Sequence, residues 1–216
     1  AKGVVLALGG ASWPKLGSDA SWVSLIEPVA TVSPLKPANC GFVCQWSDFF
    51  RTKCKGLPLK GVVINMDGNP VGKNGTKGEI MIDEQGVEGS LIYAHSAAIR
   101  QQIEIQGAAK IIIDLMPDRN LEDIERLLQA PKGKQSLASF LKKKLKLDNV
   151  RFALIRERLS SEQMQDHVLL SGLLKSYVIE LTECFDIHHA ISSAGGIART
   201  ALEENLMIRT MPGVFF

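Results

Sequence analysis

Apolar positions follow three different rhythms along this chain, and each predicts a different kind of structure. Residues 4–8 form an unbroken apolar run that stops at Gly9-Gly10, the pattern of a buried parallel strand ending where the backbone approaches something closely. A ligand and a tight strand-to-loop turn both satisfy that pattern. After a Trp13-Pro14 loop, Trp22, Val23, Leu25 and Ile26 predict a short helix. Val32-Ser33-Pro34 and Lys36-Pro37 read as a break between units, because closely spaced prolines disfavour continued helix.

The second rhythm runs from Cys40 to Ile113, where short β-type runs at 41–44, 59–66, 79–82 and 111–115 are separated by turn signals at Asp67-Gly68, Asn69-Pro70 and Asn74-Gly75. Dense turns between short strands predict a small antiparallel barrel or sandwich. A short helix over 90–100 would plug one end. From Pro117 to Lys175 the period becomes 3.6. Leu121, Ile124, Leu127 and Leu128 make one apolar face after an Asn120 N-cap, and Leu137, Phe140, Leu141 and Leu145 make another after Ser136. Helices are also predicted over 150–159 and 166–174. Helices this short must pack together as a small bundle. Residues 177–182 then alternate as a strand that re-enters the barrel, and residues 190–197 form a second small-residue segment around Gly195-Gly196.

This order predicts one domain inserted into another, since insertion succeeds where chain ends lie close together at a surface. Residues 1–30 and 186–216 are read as two incomplete pieces of one α/β host domain, 31–116 and 176–185 as a β-barrel insert, and 117–175 as a helical subdomain. The predicted class is therefore α+β: a small antiparallel β-barrel with an inserted helical bundle, flanked by two pieces of a host. A strand at the very first residues, with no earlier partner, reads as part of something larger.

Composition narrows the function. With 216 residues and 45% hydrophobic content the chain can bury a sizeable core, and a net charge of +2 gives little steering toward nucleic acid or an anionic membrane. Lys142, Lys143, Lys144 and Lys146 alternate with Leu141 and Leu145 as one solvated helix face. Cys40, Cys44, Cys54 and Cys184 sit in a chain without a signal peptide or an apolar run of membrane-spanning length. They read as buried free thiols of a reduced, cytoplasmic protein. No metal is predicted: the C-x3-C-x9-C spacing lacks a second pair, and the adjacent His188-His189 point in different directions. His95 follows Tyr93 and either faces a substrate cavity or is a surface or satisfied histidine. Ser192-Ser193 lacks the strand–turn–helix elbow and base of an acyl-transfer nucleophile.

VVLALGGASWPKLGS, KGEIMIDEQGVEGSLIYAHS and AISSAGGIARTALEENLMIRTMPGVFF together resemble the bacterial insert-domain flavoproteins, a family of NAD(P)/FAD-dependent oxidoreductases also called NAD(FAD)-utilizing dehydrogenases. The resemblance spans nearly the whole chain. It implies a dinucleotide-type domain that binds FAD, interrupted by a barrel-plus-helices insert. It places Leu8, Gly9 and Gly10 on one side of the cofactor and Ala194, Gly195 and Gly196 on the other. Small residues suit that role, because a flavin or pyrophosphate can contact only backbone without bulky side chains. It implies a small-molecule substrate and NAD(P)H as partners, and names no catalytic residue.

The chain departs from the family pattern at three places. No G-x-G-x-x-G follows a strand, so the fingerprint that holds a pyrophosphate on a helix N-terminus is missing. Ser18 is followed by Asp19-Ala20-Ser21 rather than a Gly-Asp-Gly type string. Gly86-Val87-Glu88-Gly89-Ser90 stands where relatives carry Gly-Leu-Ser-Gly-Pro. The resemblance also implies a further FAD segment after Phe216. Without those contacts the chain forfeits about 4–6 kcal/mol of FAD binding, roughly 10³ to 10⁴ in affinity. The expectation is an insert-domain portion of an oxidoreductase, inactive alone. The alternative is a non-catalytic binding module on a small barrel with a helical appendage, and the two glycine-paired segments favour the first.

Overall fold

The computed structural model describes residues 3–66, 69–70 and 77–216. In chain order the elements are β1 (Val4–Val5), α1 (Val23–Ile26), β2 (Val32–Pro37), β3 (Phe42–Val43), α2 (Asp48–Cys54), β4 (Pro58–Met66), β5 (Asn69–Pro70), β6 (Lys77–Ile82), β7 (Gly86–Glu88), α3 (Ser90–Gln106) and β8 (Ala109–Asp114). They continue with α4 (Leu121–Leu128), α5 (Leu137–Leu145), α6 (Asn149–Arg158), α7 (His167–Lys175), β9 (Tyr177–Leu181), β10 (Glu183–Cys184), β11 (Ser193–Ile197) and β12 (Val214–Phe215). Two compact units result, one from residues 1–40 and 184–216 and the other from 41–183. No helix among the described residues is long and apolar enough to cross a membrane.

The larger unit is built on an antiparallel sheet in the order β3-β7-β6-β4-β8-β9, with β5 beside β4. Strict alternation in β8 and β9 puts Ala109, Ile111 and Ile113 and Tyr177, Ile179 and Leu181 on one buried face. Thr182, the residue after β9, donates its N–H to Val43 at the opposite edge, 3.0 Å away. The sheet therefore curls, although β9 and β3 do not pair as strands and a closed barrel is not shown. α3 covers the sheet with Leu91, Ile92, His95 and Ile99. It runs past the expected Arg100 because nothing stops it before Gly107, whose left-handed backbone closes the helix.

The expected N-caps Asn120 and Ser136 accept from the Asp123 and Ser139 N–H groups, and Asp148 and Asp166 begin α6 and α7 in the same way. α4 packs on α5 and α7, and α6 on α7 and α2. Two basic side chains tie this helical excursion to the sheet. Arg151 donates to the Leu115 carbonyl at 2.8 Å and to Lys60, while Lys175 reaches Asp114 and the Arg119 carbonyl at 2.7 Å. α2, absent from the sequence reading, is started by Ser47, whose hydroxyl accepts from Phe50.

Several expectations need correction. Val32 to Pro37 is no break but a strand, paired antiparallel with β11. Both strands of a two-stranded sheet are edges, where proline is tolerated. The run at residues 4–8 is exposed rather than buried: Val4, Val5 and Leu8 keep 48%, 74% and 42% of their surface. β1 pairs only with β12, in parallel, and no further described strand covers it. Asn69-Pro70 pairs with Asn65-Met66 as a short strand instead of turning. The expected turns at Asp67-Gly68 and Asn74-Gly75 lie outside the described residues.

Candidate functional site

The smaller unit brings the two glycine-paired segments together. Trp22 anchors the first one: it is buried in a cluster with Ile26, Ala30, Leu202 and Ile208, its ring lies 4.9 Å from that of Phe216, and its indole N–H donates to the Gly9 carbonyl at 3.1 Å. The Gly10 carbonyl accepts from Ala20 at 3.2 Å. The chain then turns, with Gly9 at φ 74° and Trp13 at φ 59°, a left-handed conformation that a bulky residue adopts only where its surroundings enforce it. Trp13 nevertheless leaves nearly half its surface exposed.

The second segment meets the first through Ser193, the residue before Ala194. The Ser193 hydroxyl accepts from the Ala11 N–H at 2.9 Å and lies 2.9 Å from the Ser12 hydroxyl. A Cβ on Gly10 would fall 2.6 Å from that same oxygen. Gly195, at φ 97°, sits in the bulge of the β2–β11 pairing, and a Cβ there would fall 2.3 Å from the Pro34 carbonyl. Both close approaches that demand glycine are thus made to the chain itself. What remains for a ligand is the outer backbone: Leu8, Gly9 and Gly195 are exposed, with the Ser18 hydroxyl 3.3 Å from where a Cβ on Gly9 would lie.

Sequence reasoning stopped one residue short at Ala194. A hydroxyl residue flanks each glycine pair, Ser12 on one side and Ser193 on the other, and that symmetry was the available signal for the latch. Nothing in the sequence marked Trp22 as the clamp on Gly9.

The remaining candidates are spread over both units. His95 is buried on α3 with its Nε2 unpartnered, and burial pushes its pKa down. Cys40, Cys44 and Cys54 are buried and Cys184 is half-buried, and burial pushes Cys44 up to about 12. No group of three or more metal-ligating side chains occurs among the described residues. The His188 side chain lies 2.8 Å from Asp186 on an exposed turn. A cavity of about 600 Å³ lies between the Cys44–Ser47 segment, the end of α6 and β9.

None of the curated proteins matches the chain. The family described as the HI0933-like protein barrel and H2TH domain matches residues 36–192, which cover the curled sheet, α3 and all four helices of the excursion. The antiparallel sheet, the capped helix bundle and this match together establish that the chain belongs to the HI0933-like family, a family of FAD-binding, oxidoreductase-like proteins.

Proposed function

We propose that this chain is the insert-domain portion of an FAD-dependent oxidoreductase, with the smaller unit on the cofactor side and the larger unit shaping the substrate side. One observation carries the reading: a single hydroxyl, that of Ser193, joins the Gly9-Gly10 and Ala194-Gly195-Gly196 segments. Two side-chain-free stretches that neighbour each other make a surface suited to a flat, polar cofactor. Leu8 and Gly9 offer exposed backbone on one side and Gly195 on the other, with Gly10 and Ala194 half-buried beside them and Gly196 buried behind. When bound, FAD supplies the hydride chemistry. The chain's own residues orient it: Trp22 holds the Gly9 carbonyl away from the ligand face, and Ser193 fixes the spacing of the two segments.

The parallel pairing of β1 with β12 supports the same reading. Parallel strands occur almost only in sheets covered on both faces, whereas Val4 and Val5 are exposed here. Further strands of a dinucleotide-type α/β domain would cover them. NAD(P)H is the proposed electron donor or acceptor, a small molecule the substrate, and buried thiols such as Cys44 and Cys54 suit a reducing cytoplasm.

The test is the visible absorption spectrum, after gel filtration with added FAD, of this chain beside the same chain joined to the rest of an FAD-binding α/β domain. A flavin band retained only by the joined protein supports the proposal. If neither protein retains flavin, the oxidoreductase reading falls and the binding-module reading replaces it.

A further inference from the structure

The cavity of about 600 Å³ in the larger unit has a division of labour in its walls that the flavin reading does not use. Its floor is apolar: Cys44 and Ile179 are buried there, and the Tyr177 ring is fully enclosed. One wall is a fixed aromatic. Trp46 cannot swing away, because its indole N–H donates to the Gly86 carbonyl at 3.1 Å and its ring rests on Phe50 at 4.6 Å.

The charged groups are unequally satisfied; Glu180, also in the lining, has its carboxylate 3.8 Å from the Lys110 ammonium. Glu157 accepts from the Ser47 N–H at 2.9 Å and the Ser47 hydroxyl at 2.7 Å, so both carboxylate oxygens are engaged. Arg158, next on α6, spends one N–H on the Val178 carbonyl at 3.0 Å and lays its guanidinium beside the Tyr177 ring, 5.6 Å from the centroid. Among the described residues it has no carboxylate partner. A guanidinium carries five N–H donors in a planar fork that matches a carboxylate. Among the described residues the buried Tyr177 hydroxyl in the same wall makes no well-formed hydrogen bond, and Arg158 is the cation that acts on it; such groups are rare in folded proteins.

We propose that this cavity binds a small aromatic carboxylate, its ring against Trp46 and the Cys44–Ile179 floor and its carboxylate on Arg158. The volume lies within the range of small-molecule sites. Because Arg158 is exposed at the rim, salt weakens the contact and affinity stays modest. The proposal is independent of flavin binding, since every residue it uses lies in the larger unit.

Titration calorimetry of the 216-residue chain with indole-3-acetate, and with its neutral isostere indole-3-acetamide, tests it. Saturable one-site binding of the acid is expected, with the amide about tenfold weaker, the loss of one charge-assisted pairing. Arg158→Gln should lower acid binding by the same factor and leave the amide unchanged, and Arg158→Lys should fall between. Circular dichroism confirms that each variant folds. Absence of saturable binding up to about 10 mM acid, equal binding of acid and amide, or undiminished binding in a folded Arg158→Gln overturns the proposal.

Discussion

At the scale of single residues, the molecule is most sensitive where a small group is required by its own neighbours. Gly195→Ala adds a Cβ against the Pro34 carbonyl, a backbone atom that cannot rotate away, at a φ of 97°. A loss of about 3 kcal/mol in unfolding free energy is expected. Gly10→Ala meets the Ser193 hydroxyl instead, a side-chain atom that can yield, so about 1–2 kcal/mol is expected. Adding Ser193→Gly should restore part of that loss, and urea denaturation of the single and double variants reads both. His95 provides a pH test. Its pKa is lowered in the folded chain by burial, so the unfolded chain takes up a proton near pH 6.5 that the native state refuses. Stability is therefore complete above that pH and declines as pH falls through and below it. The urea midpoint should drop between about pH 7.5 and 5.5, and the drop should shrink in His95→Gln. Among the described residues the buried Tyr177 hydroxyl makes no well-formed hydrogen bond, so Tyr177→Phe is expected to raise stability by up to about 1 kcal/mol, measured the same way.

At the scale of elements, the helical excursion is held by local caps and by two long-range ties. Asn120, Ser136, Asp148 and Asp166 each satisfy N–H groups at a helix start. Asp148 and Asp166 were not picked out as caps, while Asn120 and Ser136 were legible because capping is decided within three residues of sequence. The ties were not. Arg151 reaches the carbonyls of Leu115 and Lys60, the latter ninety-one residues away in sequence. Arg151→Met keeps the apolar stem but leaves those carbonyls without their donor, and a loss of about 2 kcal/mol is expected, against about 1 kcal/mol for Asp166→Ala. Thermal unfolding followed by circular dichroism ranks the two. β2 shows the same limit from the other side. Its prolines argued for a break, and only the partner strand β11, some 160 residues on, makes it a strand.

At the scale of the whole molecule, composition and element order identified the α+β class, the helical excursion and the return of the chain to its starting unit. What they misjudged was exposure. The apolar run at residues 4–8 reads as buried because a period-free apolar stretch is the pattern of a covered parallel strand, yet Val5 is 74% exposed beside β12. Substituting Val5 by Lys should therefore leave the unfolding midpoint within about 0.5 kcal/mol, as at other exposed sites, and should suppress any concentration-dependent association seen by sedimentation.

By itself the sequence determined whatever depends on neighbours along the chain: the rhythm of the helices, their caps, the alternation of β8 and β9, and the two glycine pairs. Tertiary structure alone decided which segments meet, namely Ser193 with Ala11 and Ser12, Trp22 with Gly9, and Arg151 with Leu115 and Lys60. The physical reason is range. Propensity and capping act over a few residues, while hydrogen bonds that latch two distant segments exist only after the chain has paid the entropy of bringing them together.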